Sequence, residues 1–116
     1  MWFYDRNGTP LAFCDDGEHI FLVRGQPAGY IYGDSVYKYS GQQIGWYENG
    51  WIRDMRGYAV FFTEDADTFC PVKPVKRVTP VKGVRSIIPI KGVRQVRQVR
   101  PVKSFSWSGI AGEEYF

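Results

Sequence analysis

Acidic side chains are absent from residues 71 to 103, a stretch that holds ten Lys and Arg residues. Residues 1 to 70 hold ten acidic and five basic side chains, and residues 104 to 116 hold only Glu113 and Glu114. The net charge of +3 therefore divides into an acidic body, a +10 arm and a −2 end. Such asymmetry suggests an arm that seeks polyanions. Cysteine is scarce: Cys14 and Cys70 form no CxxC pair and are expected to be free thiols. Histidine is scarcer. His19 stands alone beside Asp15, Asp16 and Glu18, where a solvated surface role outweighs metal binding or acid–base work. No Ser/His/Asp set, HExxH, P-loop or GxGxxG occurs, so no enzymatic activity, cofactor or metal is expected. Apolar runs are short, as at residues 59–62, and exclude a transmembrane helix. The start of the chain lacks a signal-peptide pattern, so the expected location is cytoplasmic, with or without peripheral membrane contact.

What the chain has instead is repetition. Gly8, Gly25, Gly41 and Gly57 lie 17, 16 and 16 residues apart. Five residues after each comes a large aromatic: Phe13, Tyr30, Trp46, Phe62. Three after comes Leu11, Ala28, Ile44 or Val60, and five before comes Phe3, Ile20, Val36 or Ile52. Four after, the residue is Ala12, Gly29 or Gly45, until Phe61 breaks the rule. A repeat of this period decides architecture ahead of local propensity. Turn residues fall at each glycine and again between modules, at Asp15-Asp16-Gly17, Gly33-Asp34, Asn49-Gly50 and Glu64-Asp65. Eight turns at roughly eight-residue spacing predict an all-β fold of four hairpin modules and eight short strands. Strict alternation places Leu11 with Phe13 on one face, and likewise Ala28 with Tyr30, Ile44 with Trp46, and Val60 with Phe62, as the packed interior. The glycines opposite suggest crowding near a common axis. Phe61 either fills a central gap or splays its module outward. Ring closure would remove edge strands.

From Pro71 the chain is eleven triplets: PVK PVK RVT PVK GVR SII PIK GVR QVR QVR PVK. The middle residue is always Val or Ile. The third is Lys or Arg in nine, Thr79 and Ile88 excepted. Period three matches polyproline II, with one aliphatic edge, one cationic edge and one Pro/Gly/Gln edge. The segment reads as a disordered linker, a ligand-bearing arm, or a strap wound on its own domain. Residues 104 to 116 contain four aromatics and are expected to dock, with the strands as one candidate surface; the alternative is a terminal recognition peptide. The organisation is thus a β domain over residues 1–68, a basic triplet arm over 69–103, and an aromatic end over 104–116.

The binding candidates are Lys73, Lys76, Arg77, Lys82, Arg85, Lys91, Arg94, Arg97, Arg100 and Lys103 of the arm, with Trp51 as an interfacial ring. Cations near an anionic leaflet each contribute about 1 kcal/mol, so peripheral lipid association is the leading expectation. The alternatives are non-specific nucleic-acid binding, a polyproline II ligand for a protein groove, and a purely structural arm.

The stretch IYGDSVYKYSGQQIGWYENGWIRDMRGYAVFFTEDA, the P-V-K triplets and the ending SWSGIAGEEYF together resemble the four-fold beta flower family of small bacterial proteins. The resemblance covers nearly the whole chain. It implies a shallow pseudo-symmetric β-barrel with hairpin petals around a central apolar hole, and no established function. The implied fold is similar to tubby C-terminal-like domains, several of which bind membrane phosphoinositides. Phe61 and Arg53 depart from the pattern, standing where other modules have a small residue and an aromatic.

Overall fold

A computed structural model describes residues 1–68 and 71–116. Eight antiparallel strands close into a barrel in chain order. They are β1 (Trp2–Tyr4), β2 (Pro10–Phe13), β3 (His19–Leu22), β4 (Pro27–Tyr32), β5 (Ser35–Tyr37), β6 (Gln43–Glu48), β7 (Trp51–Asp54) and β8 (Ala59–Phe62). One helical turn, α1 (Gly112–Tyr115), lies near the end. Closure rests on Tyr4 pairing with Phe62, whose rings stack at 5.4 Å.

The four petals repeat down to single hydrogen bonds. Gly8, Gly25, Gly41 and Gly57 donate to the carbonyls of Asp5, Leu22, Lys38 and Asp54. Each of those four residues in turn donates to a carbonyl across the turn: Thr9, Gln26, Gln42 and Tyr58. Between the third and fourth petals Asn49 and Gly50 both take positive φ, 52° and 83°, as a two-residue hairpin turn requires.

The predicted interior needs a correction. In the first three petals one register pair matches a large residue to a small one, Phe3 to Ala12, Ile20 to Gly29 and Val36 to Gly45, while the fourth pairs Ile52 with Phe61. The next pair is Tyr4 to Pro10, Phe21 to Pro27, Tyr37 to Gln43. Leu11, Ala28 and Ile44 are therefore left over as β-bulges, and Val60 sits likewise between Phe61 and Ala59. A bulge breaks the period of two. It sends Leu11 to the side of Ala12, so both pack in the central cluster with Phe3, Ile20, Val36 and Ile52. The aromatics five after each glycine stay behind on the outer face. There they meet rings of the next petal, Phe13 on Phe21 at 5.8 Å and Tyr30 on Tyr37 at 5.6 Å. They are buried all the same, Phe13, Tyr30 and Trp46 beneath cations of the arm and Phe62 beneath Trp107.

Phe61 fills the centre, and the end of the chain seats on it. Phe116 stacks on Phe61 at 5.7 Å and 15°, and Tyr115 meets it edge-on. The Tyr115 hydroxyl donates to the Ile44 carbonyl at 2.8 Å. A Cβ at Gly45 would strike that hydroxyl, so the missing side chain admits the tail. Trp107 pairs with Ala59 and packs on Trp51 and Phe62. The aromatic end thus packs against β7, β8 and the centre of the barrel.

Candidate functional site

Residues 71–103 form neither helix nor strand, yet they touch all four petals in register. Arg77, Ser86, Gln95 and Ser104 donate their backbone N–H groups to the carbonyls of Gly8, Gly25, Gly41 and Gly57. The donors are nine residues apart, so three triplets serve one petal. The petal glycines are required for this contact. A Cβ at Gly8, Gly25, Gly41 or Gly57 would meet the carbonyl of Val75, Val84, Val93 or Val102, again spaced by nine. Gly83 and Gly92 add N–H bonds to Val23 and Tyr39. Proline occupies other first positions of the triplets and never one of the four donors, where its missing N–H would cost the bond.

The path fits the body's dimensions. Nine residues at the polyproline II rise span about 28 Å, and the protein is a disc 36 Å across and 22 Å thick. A quarter of such a disc's perimeter is also about 28 Å. The arm leaves the fourth petal near Ala66, where the Lys73 ammonium donates to the Ala66 carbonyl, and reaches the fourth petal again at Gly57.

The cationic edge faces the body. Lys82 bonds Asp15 at 2.8 Å and lies 4.9 Å from the Phe13 ring centre. Lys91 pairs with Glu18 and covers the Tyr30 ring at 4.5 Å. Arg97 holds Asp34 at 2.6 Å and covers Trp46 at 4.9 Å. Arg100 pairs with Asp34 and Glu48, and Lys103 with Glu48 at 2.5 Å. Lys76, Arg85 and Arg94 lie over Tyr4, Phe21 and Tyr32. Such cation–π contacts contribute about 0.5–1 kcal/mol at exposed sites. The hydrogen bonds from Lys82, Lys91 and Arg97 hold the carboxyls of Asp15, Glu18 and Asp34 below their ordinary range. Arg77 contributes its backbone donor to the Gly8 turn.

The aliphatic edge faces away. Every middle residue from Val72 to Val102 is 85–96% exposed, eleven in all. Within the chain it is the cationic edge, and not the aliphatic one, that makes the contacts. The signal that would have revealed the strap is the nine-residue spacing within the triplets, matched to the sixteen-residue spacing of the petals.

Trp51 is 1% exposed, its indole N–H bonded to Asp67 at 3.0 Å, which makes it part of the core beside Phe62 and Trp107. Arg53 is also buried. Its guanidinium donates to the carbonyls of Gly57 and Ser104, tying the fourth petal to the arm where an aromatic would stand in another petal. His19 is held between Asp16 at 2.7 Å and Glu18 at 3.2 Å. Burial opposes ionisation of Asp16, but bonds from the His19 ring and from the His19 and Glu18 amides outweigh it and pull its carboxyl well down. Burial raises the Tyr39 hydroxyl to about 12. Cys14 is a buried free thiol, pushed up by burial; the expectation for Cys70 lies outside the described residues. Among the described residues no group of three or more His, Cys, Asp or Glu side chains could hold a metal ion. No helix among them is long and apolar enough to cross a membrane.

No curated protein and no solved structure matches the chain. The family model described as 4-fold beta flower protein matches residues 1–116, arm and end included. Four petals closing into one barrel agree with that description, and the chain belongs to the 4-fold beta flower protein family.

Proposed function

We propose that the chain is a non-enzymatic binding module that associates peripherally with anionic membrane surfaces. One observation carries the reading: the arm stays strongly positive after winding. Among the described residues the ion pairs of its ten cationic side chains reach four carboxylates, Asp15, Glu18, Asp34 and Glu48, so cations outnumber the carboxylates along the arm while the chain as a whole carries +3. Cations close to an anionic leaflet contribute about 1 kcal/mol each, so an excess of this size supports reversible attachment without any specific pocket. An open cleft of about 710 Å³ between the arm and the third petal does not compete as a ligand site. Its charged groups, Asp34, Arg94 and Arg97, are already engaged.

Non-specific nucleic-acid binding uses the same charge and is the alternative the test addresses. The full chain is sedimented with phosphatidylcholine vesicles with and without phosphatidylserine, and with a random DNA duplex as competitor. Attachment to the anionic vesicles alone, weakening as salt shortens the screening length from about 10 Å at 0.1 M toward 3 Å at 1 M, is the expected result. Equal attachment to neutral vesicles, or release by trace duplex, overturns the reading.

A further inference from the structure

We propose that the cavity between the third petal, the fourth petal and the arm binds one small inorganic anion, of the size and charge of chloride. It arises where the repeat departs from its own rule. At three junctions between petals a ring meets a ring: Phe13 on Phe21, Tyr30 on Tyr37 and Phe62 on Tyr4, stacked at 24°, 22° and 26°. Between the third and fourth petals the register pair is Trp46 with Arg53, so a guanidinium stands where the second ring would be. Both residues are buried, Trp46 at 1% and Arg53 at 4% exposure.

Two observations at this junction point to a ligand. The first is an unmet donor. The buried Trp46 indole N–H has no hydrogen-bond partner among the described residues, and a buried donor left unmet carries its full desolvation penalty. The second is charge. A cavity of about 10 Å³ is lined by Trp46 and Glu48 of the third petal, Arg53 and Gly57 of the fourth, and Arg100 and Lys103 of the arm. Three of these side chains are cations and Glu48 is the one carboxylate. Arg100 and Lys103 both draw on it, while Arg53 donates to the carbonyls of Gly57 and Ser104. A further cation, Arg97, lies over the Trp46 ring and pairs with Asp34.

The lining selects its occupant. The volume suits about one water-sized body, which is too little for a carboxylate, a phosphate or another polyatomic anion. The surplus of positive charge repels a metal cation. A water would accept from the indole but must also place two protons of its own, and guanidinium and ammonium groups have no lone pair to receive them. A halide only accepts. It meets the indole N–H, offsets the surplus charge and makes its bonds charge-assisted. Since the lining comes from two petals and the arm, an ion held there ties all three, and its binding stabilises the wound form by mass action.

The test uses the full chain at constant ionic strength, with sodium gluconate exchanged stepwise for sodium chloride; the gluconate anion is too large for the cavity. The thermal midpoint is followed together with amide exchange at Ser104, which bonds Gly57 in the wound arm. The native midpoint is expected to climb with chloride and exchange at Ser104 to slow in parallel. Trp46→Phe keeps a ring beneath Arg97 and removes the N–H. Measured from its own gluconate baseline, it is expected to need at least about tenfold more chloride for the same climb, the worth of one hydrogen bond to a charged group. Arg53→Tyr gives the fourth petal the residue that Tyr4 and Tyr37 supply in the first and third, and is expected to abolish the chloride dependence while the strand amides stay protected. Crystals grown in bromide read the site directly, by an anomalous peak beside the Trp46 indole nitrogen. A native chain indifferent to chloride overturns the proposal. So does an undiminished chloride response in Trp46→Phe, or bromide peaks confined to other parts of the rim.

Discussion

Replacing Gly25 by Ala measures what the arm contributes, provided Gly17→Ala is measured beside it. Both glycines have positive φ, +97° at Gly25 and +78° at Gly17, so an alanine at either carries a left-handed backbone penalty of about 1–2 kcal/mol. Their surroundings differ. A Cβ at Gly17 meets nothing within 4 Å, whereas one at Gly25 strikes the Val84 carbonyl. The arm must lift there, losing the bonds from Gly83 to Val23 at 2.7 Å and from Ser86 to Gly25 at 2.9 Å. At about 1 kcal/mol each, and with the Arg85–Phe21 contact adding about 0.5–1 kcal/mol, Gly25→Ala costs about 2–3 kcal/mol more than Gly17→Ala. Urea unfolding followed by tryptophan fluorescence reads that gap, and amide exchange at Gly83 and Ser86 locates it. Equal destabilisation by the two alanines, with those amides still protected in Gly25→Ala, would refute the claim that the winding is tight and in register.

The other predictions concern the tail and the ion pairs. Tyr115→Phe removes the hydrogen bond to Ile44 and is expected to cost about 1 kcal/mol, while removing residues 115 and 116 uncovers Phe61 and costs about 3–5 kcal/mol; denaturant midpoints check both. The carboxyls of Asp15, Glu18 and Asp34 sit below their unfolded values, so their stabilisation is complete above about pH 5 and is lost as pH falls through the lower native values. Amides of the arm are expected to lose protection in that acid window before those of the barrel strands, and sooner at high salt, which hydrogen exchange followed by mass spectrometry would show.

The petals were legible because their requirements recur at fixed spacing: a turn glycine, a ring five residues on, a small residue between. The face assignment failed at Leu11, Ala28, Ile44 and Val60, since a bulge is a two-strand property and strict alternation within one strand cannot display it. Phe61 looked like a defect in the repeat. It is the seat for Phe116, a contact between residues more than fifty positions apart. The arm's inversion was hidden for a similar reason. Alone, a triplet strand has no reason to bury lysine; only the stacked rings of adjacent petals, with carboxylates beside them, make the cationic edge the inner one. Trp51 was read from its residue type, and its burial depends on Trp107 from the docked end.

The winding has a mechanical consequence. A chain segment that encircles its own barrel in equal nine-residue lengths is a hoop around staves, and the narrow join between β8 and β1 lies beneath it. Tension applied at the C-terminus would first pull the tail from the centre and then peel the hoop petal by petal, each release lengthening the chain by one repeat. The staves could part at their join only after the last of these steps, so resistance to pulling would reside in the part of the protein that has no regular secondary structure.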